Sequence, residues 1–332
     1  MSSGILELDP DYRAASNGSA WHDRSDRGRY RILGARAREM VSGLVTNDVQ
    51  ALAPGEGCYA AALTAKGKIV ADLRVFAFVE DVLTDVSPRA RPGWADMLKK
   101  FVNPRLARHR DDTDTFGQIV VLGPHAPSAA AAATGAEVAA VEALEVFRHV
   151  TTGEEIIVAR VPDFGVSAFE VFFPNARKAA IVEGLRGAGT REVGDGLLET
   201  LRVEAGRPEW GLDMDESTLA QEANMEELNA ISFTKGCYVG QETVARVHFR
   251  GHVNRHLRGL QFDGDTIAAT GSEVVDVTEK SVGEVRSAVR SPRLGPIALA
   301  MMRREVEMGS RVQVRSADAV RGATVVPLPF AR

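Results

Sequence analysis

Two periodicities take turns along the first three-quarters of the chain. Arg29-Tyr30-Arg31-Ile32-Leu33-Gly34 alternates as a strand and closes on a glycine turn, and Ala35 to Leu44 then reads as a helix with Met40, Val41 and Leu44 on one face. Gly57 to Thr64 and Lys68 to Phe76 are strand-like runs separated by Ala65-Lys66-Gly67, which predicts a hairpin. Helical spacing returns in Pro92–Phe101, in the alanine-rich Ser128–Ala133 with Ser128 as its cap, and in Arg177–Gly187 with Ile181, Val182 and Leu185 inward. Phe116–Leu122, Ile156–Val161 and Ala168–Phe173 are further strands, the last two joined by the turn Pro162-Asp163-Phe164-Gly165. Asp195 to Pro208 has the apolar spacing of a helix that stops near Gly206 and Pro208. Asp11 to Ala20, polar and small, reads as a surface lead-in, and Asn103 to Asp114 as a charge-rich loop or strand edge.

After Arg246 the rhythm changes. Gly251 to Arg255 is a turn, and His256–Phe262, Gly271–Val277, Ser281–Val289 and Arg311–Val314 are short, valine-rich and glycine-separated, which predicts a small antiparallel barrel or sandwich. The expected division is a region of two α/β halves over residues 1–245, parting near 50–120 and possibly discontinuous, followed by a barrel over 246–332. At 332 residues the chain is long enough for two or three domains.

Composition narrows the classes. With 45% hydrophobic and 26% charged residues the chain is an ordinary globular one, and a net charge of -5 offers no general nucleic-acid footprint. Arg105, Arg108, His109 and Arg110 are followed at once by Asp111, Asp112 and Asp114, so that stretch reads as a solvated mixed surface. Two cysteines, Cys58 and Cys237, make no disulfide framework and fit a reducing compartment. The start carries acids and no basic-then-apolar leader, and no apolar run reaches the ~20 residues of a membrane span, so the expectation is a cytoplasmic protein with no membrane partner. There is no dinucleotide fingerprint and no P-loop. His248, His252 and His256 fall at fours, but the glycine and strand pattern around them argues against a helical metal face, so no metal site is expected.

Three places hold polar chemistry in apolar surroundings. In Thr234-Lys235-Gly236-Cys237-Tyr238-Val239-Gly240-Gln241-Glu242 two glycines four apart suggest a tight turn. An ammonium from Lys235 near the Cys237 sulfur would favour thiolate, whereas an apolar pocket would leave the cysteine inert. Asp72 is an acid inside an apolar strand, facing either solvent or a ligand. Glu204 projects on the side of the Leu197 and Leu201 stripe, where it needs either an arginine such as Arg202 or Arg207, or a ligand with adjacent N–H groups.

Lys235-Gly236-Cys237-Tyr238-Val239-Gly240-Gln241-Glu242, with Thr243 to Arg246 behind it, resembles the signature of the YgfZ-type proteins. These are tetrahydrofolate-binding relatives of the glycine-cleavage T-protein (aminomethyltransferase), implicated in iron–sulfur protein maturation. Val45-Thr46-Asn47-Asp48-Val49 and Leu201-Arg202-Val203-Glu204-Ala205-Gly206 are similar to further stretches of that superfamily, and Lys68 to Val75 resembles the T-protein's "G-I-L-D-D-L-I-V" with Ala71 in place of the first acid. The resemblance implies an α+β fold of two interleaved α/β (ferredoxin-like) halves around a folate cleft, with a C-terminal antiparallel β-barrel. It implies a tetrahydrofolate or one-carbon derivative held by Glu204, Asp72, Tyr238, Gln241, Glu242 and Arg246, with Cys237, Lys235 and Asp72 as the reactive groups. The cysteine turn and the broken acid pair favour an accessory factor over a transferase. Its partners would then be iron–sulfur client proteins or assembly factors, with tRNA modification touched only through iron–sulfur enzymes. A folate-dependent aminomethyltransferase is the alternative.

Overall fold

The computed structural model describes residues 9–138, 141, 147–153, 155–317 and 319–330; most of the start, read above as lacking a leader, lies outside them. The chain opens with α1 (Pro10–Asn17), β1 (Ala20–Asp23), β2 (Gly28–Leu33) and α2 (Ala37–Ser42). The hairpin β3 (Glu56–Leu63) and β4 (Ile69–Ala77) leads to β5 (Asp81–Val86), α3 (Arg91–Phe101) and the edge strand β6 (Arg108–Asp111). Then come β7 (Phe116–Leu122), α4 (Ala126–Thr134), β8 (Phe147–Thr151), β9 (Ile157–Arg160), β10 (Ala168–Pro174), α5 (Lys178–Gly187), β11 (Arg191–Glu192) and α6 (Asp195–Glu204). After a long loop, α7 (Gln241–Arg250) precedes β12 (Arg255–Phe262), β13 (Glu273–Val275), β14 (Ser281–Ser291), β15 (Gly295–Arg303), β16 (Arg311–Arg315) and β17 (Val320–Val326).

The first eleven strands form one sheet in the order β11-β1-β7-β10-β9-β8-β3-β4-β5-β2-β6, and the last six a closed barrel, β12-β15-β14-β13-β16-β17. The two α/β halves are interleaved, because β1 pairs with β7 and β11 while β2 joins β5 and β6. They meet at the short β3–β8 pairing, Glu56 opposite Arg148 and Gly57 opposite Phe147. Among the described residues no helix is long and apolar enough to cross a membrane.

Strand alternation decides which side chains face between the halves. Along β4, Ala71, Leu73, Val75 and Ala77 turn to the core that also holds Trp94 and Leu98 of α3. Asp72, Arg74 and Phe76 therefore turn the other way, as do Tyr59 of β3, Asp85 of β5 and Glu170 of β10. The antiparallel register sets Ala61 opposite Asp72 and Tyr59 opposite Arg74, which puts Tyr59 diagonal to Asp72 on one face. The even-numbered positions of β4 thus carry the polar chemistry into the space between the halves.

Two local expectations need correction. Asp11–Ala20 is no lead-in: Asp9 caps α1, Pro10 occupies its first turn, and Tyr12 and Ala15 are buried. Small residues pack closely there, so the stretch reads as polar while burying one face. Ser128 is not a cap, since α4 begins two residues earlier and Ser128 Oγ donates to the His125 carbonyl at 2.9 Å. Residues 241–250 form the helix α7, with Val244 buried and most other positions exposed or half-buried.

Candidate active site

An ion network lies buried where the halves face one another. Arg74 reaches Asp85 at 3.2 Å, Glu170 at 2.8 Å and Asp163 at 3.4 Å. Arg27, from the segment between β1 and β2, holds Asp85 with two bonds of 2.7 and 3.1 Å. Arg24 pairs with Glu170, whose second oxygen accepts from Gln118 at 2.9 Å. Asp85 and Glu170 are fully buried. Burial alone would raise the Glu170 carboxyl, but Arg24, Arg74 and Arg27 hold it down to about 2. Charges buried in this way are tolerated because each has a partner.

Above the network a cavity is lined by Arg24, Arg27, Tyr59, Asp72, Leu73, Arg74, Asp163, Phe164, Arg202, Arg207, Pro208 and Glu209. A neighbouring hollow shares Arg24, Arg27, Phe164, Arg202 and Glu209 with it and is also lined by His22, Arg89, Glu199 and Leu212. Asp72 Oδ2 accepts from the Tyr59 hydroxyl at 3.0 Å, and Oδ1 from the Trp210 backbone N–H at 3.3 Å. Trp210 is itself fixed by its indole N–H on the Ile69 carbonyl at 3.2 Å. Burial, and next the Glu209 carboxylate, push the Asp72 carboxyl up to about 6, against Arg27, the Tyr59 hydroxyl and the Trp210 N–H. A carboxyl so poised exchanges its proton near neutral pH, which an ordinary aspartate does not. Phe164 offers a ring face, with the Arg24 guanidinium 5.4 Å from its centroid. The cavity combines one proton-exchanging acid, aromatic surface and guanidinium groups.

The remaining residues expected at the site lie elsewhere. Glu204 accepts both oxygens' bonds from the Tyr12 hydroxyl, at 3.1 and 3.0 Å, and another from Ser291, with Arg293 at 3.7 Å. It is buried where α6 meets the barrel, is not part of the cavity wall, and has neither Arg202 nor Arg207 as partner. Leu197 and Leu201 pack with Tyr12, Ala15, Val120 and Leu122, so Glu204 follows its stripe to Tyr12 and meets the barrel through Ser291 and Arg293.

The cysteine turn forms a third location. Gly240 has φ +87, and a Cβ there would lie 2.6 Å from the Thr64 carbonyl oxygen, so this position requires glycine. Cys237 is exposed and Cys58 buried, both as free thiols. The Lys235 ammonium is directed away from the role expected of it: it donates to the carbonyls of Ser42, Val45 and Asn47, the last two at 2.8 Å, and lies 4.8 Å from the Tyr238 ring centroid. The charged or ionisable groups acting on it are Asp48 and Cys58, while burial pulls it down to about 8. Lys235 therefore stitches backbone segments together. Tyr238 is buried in the core, Gln241 is half-buried, and Glu242 and Arg246 are exposed on α7. Cys237, Lys235 and Gly236 share a surface hollow with Asp48 and Gln50, separate from the Asp72 cavity. Asn47 bridges the Tyr59 and Asn229 carbonyls at 2.9 and 2.8 Å. His248 stacks on Phe233 at 3.8 Å and meets Glu226 at 2.8 Å.

Of the expected residues only Asp72 enters the cavity. Tyr59, Arg24, Arg27, Asp163, Phe164, Arg207 and Glu209 were missed. One signal was available for part of this group: Arg74 stands two positions from Asp72, and two ionisable residues on one face of an apolar strand need buried partners.

The GCVT N-terminal domain family matches residues 7–235, and the glycine cleavage T-protein C-terminal barrel domain family matches residues 255–331. The aminomethyltransferase of Ralstonia pickettii is 33% identical over 321 residues, covering 91% of this chain and 83% of that protein. That of Saccharopolyspora erythraea is 27% identical, covering 97% and 89%. In the fold, the crystal structure of the glycine cleavage system aminomethyltransferase T from Bartonella henselae is similar with a TM-score of 0.85, covering 97% of this chain and 88% of that one at 20% identity. These relatives overturn the expectation of an iron–sulfur maturation factor with iron–sulfur clients: the similarity covers 91–97% of the chain and leads to aminomethyltransferases. The cysteine turn that favoured that expectation is local, and its lysine holds backbone carbonyls rather than a thiolate. The chain belongs to the glycine-cleavage T-protein family.

Proposed function

We propose that this protein is a folate-dependent aminomethyltransferase whose reaction takes place at Asp72. The observation that carries the reading is the Asp72 carboxyl itself: pushed up to about 6, hydrogen-bonded by Tyr59, and open to a cavity between the two halves. The cavity's groups suit tetrahydrofolate. Asp72, Asp163 and Glu209 can accept from ring N–H groups, Phe164 and Pro208 give apolar faces, and the Arg207 guanidinium favours an anionic tail. When bound, tetrahydrofolate supplies the nitrogen nucleophile that receives the one-carbon unit. Asp72 takes up and returns a proton beside it, and Tyr59 and Trp210 keep the carboxylate oriented. The loss of a second acid at Ala71 leaves this one carboxyl to do that work, and its raised pKa suits it to the task near neutral pH.

The substrate class is a carrier bearing an aminomethyl group on a dithiol arm, with ammonia as product. Incubating the protein with an aminomethylated lipoyl carrier, with and without tetrahydrofolate, tests the proposal. Ammonia release that needs tetrahydrofolate is expected. Absence of release from protein that binds tetrahydrofolate would refute it.

A further inference from the structure

The guanidinium groups at the cavity are nearly all accounted for by protein carboxylates. Arg24 is taken by Glu170, Arg27 by Asp85, Arg74 by both, and Arg202 by Glu199 and Asp213. Arg207 differs. Among the described residues its side chain makes no ion pair and no hydrogen bond, although it is half-buried at the cavity wall. It acts on Tyr59, whose hydroxyl it pulls down against burial and the nearby Asp72 and Asp163.

The backbone around Arg207 is held firmly, so the free side chain is not a sign of a loose segment. Gly206 has φ +65 and its missing Cβ would meet Leu328 at 2.8 Å, which turns the chain sharply after α6. The Arg207 N–H donates to the Arg202 carbonyl at 3.1 Å, and its own carbonyl accepts from the Arg202 guanidinium at 2.6 Å. Pro208 follows and restricts the backbone further. A pinned backbone thus presents an unpaired cation to a partly desolvated space. Such a charge is costly there unless a counterion arrives, and a planar guanidinium matches a carboxylate with two parallel bonds. The acids around it offer no relief: Asp163 faces Arg74 and Glu209 is paired with Arg89 at 3.0 Å.

We infer that Arg207 is the carboxylate-binding residue of the Asp72 cavity, and that the ligand it receives carries a carboxylate. This rests on the folate reading. The carboxylate has two possible sources, the glutamate tail of the folate or a small amino-acid donor of the one-carbon unit.

Direct binding titrations distinguish them. Wild type, Arg207→Gln and Arg207→Lys are titrated with tetrahydrofolate and with its bis-methylamide, which keeps the ring and the benzoyl-glutamyl frame but carries no carboxylate. With tetrahydrofolate bound, they are titrated with N-methylglycine and with dimethylamine, which lacks the carboxylate. One of the two pairs is expected to show roughly tenfold or greater preference for the carboxylate-bearing member in wild type. That preference should fall to about twofold or less in Arg207→Gln and to an intermediate value, about threefold, in Arg207→Lys, whose charge survives without the planar fork. The pair that responds names the source. Thermal melting of both variants checks folding, and Arg207→Lys alone, with a severalfold loss, would still read the effect if the glutamine variant melted early. Wild-type discrimination kept in Arg207→Gln for both pairs would overturn the assignment to Arg207. Failure of wild type to bind tetrahydrofolate at all would remove the folate reading, and this inference with it. Because the readout is binding, absence of aminomethyl transfer alone would leave the Arg207 result standing.

Discussion

The Tyr59 hydroxyl stands 3.0 Å from Asp72 Oδ2, across two strands whose register sets the residues diagonally on one face. A phenol that donates to a carboxylate favours its ionised form, so Tyr59 restrains the rise that burial and Glu209 impose on Asp72.

Tyr59→Phe removes that donor and keeps the ring. The acid limb of the rate profile, set in wild type by a carboxyl at about 6, is expected to move upward by about one unit, since a hydrogen bond to a charged group is worth roughly that much. The check is a pH–rate profile of both proteins. An unmoved limb would mean that the contact does not set the titration.

The buried network makes the fold acid-sensitive in a stated window. Glu170 is held at about 2 in the folded protein against a usual value of 4.5, so its ionised form is favoured by folding. Its contribution is present above the unfolded value and is lost as pH falls from about 4.5 towards 2. Glu170→Gln leaves Arg24 and Arg74 short of a counter-charge and should cost about 3–5 kcal/mol, read as an earlier denaturant midpoint. The variant should also lose the part of the acid sensitivity that Glu170 causes.

Glu204 behaves in this account as a strut between α6 and the barrel. Glu204→Gln, which cannot accept equally from Tyr12 and Ser291 at both positions, should lower stability by about 1–3 kcal/mol. Tetrahydrofolate affinity should stay within about twofold of wild type, whereas a residue gripping the ligand would lose ~1.5–3 kcal/mol. Titration calorimetry and melting of one variant separate the two roles.

Cys237 and Lys235 stand two positions apart in the chain and should part in experiment. Cys237→Ser changes an exposed thiol and is expected to stay within about 0.5 kcal/mol of wild type, with transfer activity kept. Lys235→Met leaves the carbonyls of Ser42, Val45 and Asn47 without their donor and should destabilise by about 2–4 kcal/mol. Loss of transfer in a well-folded Cys237→Ser protein would contradict this division.

The β3–β4 hairpin, the α6 helix and the barrel were legible because their periodicity matches what they bury. The α1 helix was not, because Tyr12 and Ala15 are too few to stand out among polar neighbours. Asp72 was found by a sound rule, that an acid in an apolar strand needs a reason. The same rule applied to Glu204 identified a buried carboxylate and not its donors, since Tyr12 and Ser291 arrive from 192 and 87 residues away. In the sequence Arg207 stands as a partner for Glu204, and only the turn after α6 shows it, with Glu209, at the wall of the Asp72 cavity instead. Spacing also set Lys235 beside Cys237, but the carbonyls of Ser42, Val45 and Asn47, far earlier in the chain, accept its hydrogen bonds.

The central claim is tested most directly by tetrahydrofolate-dependent ammonia release from an aminomethylated lipoyl carrier, compared between wild type and Asp72→Asn. Asparagine keeps the shape and cannot exchange the proton. The account predicts turnover in wild type that falls below pH 6, and a loss of roughly 10²–10⁴-fold in the variant with folate binding largely retained. Equal turnover by the two proteins would contradict it.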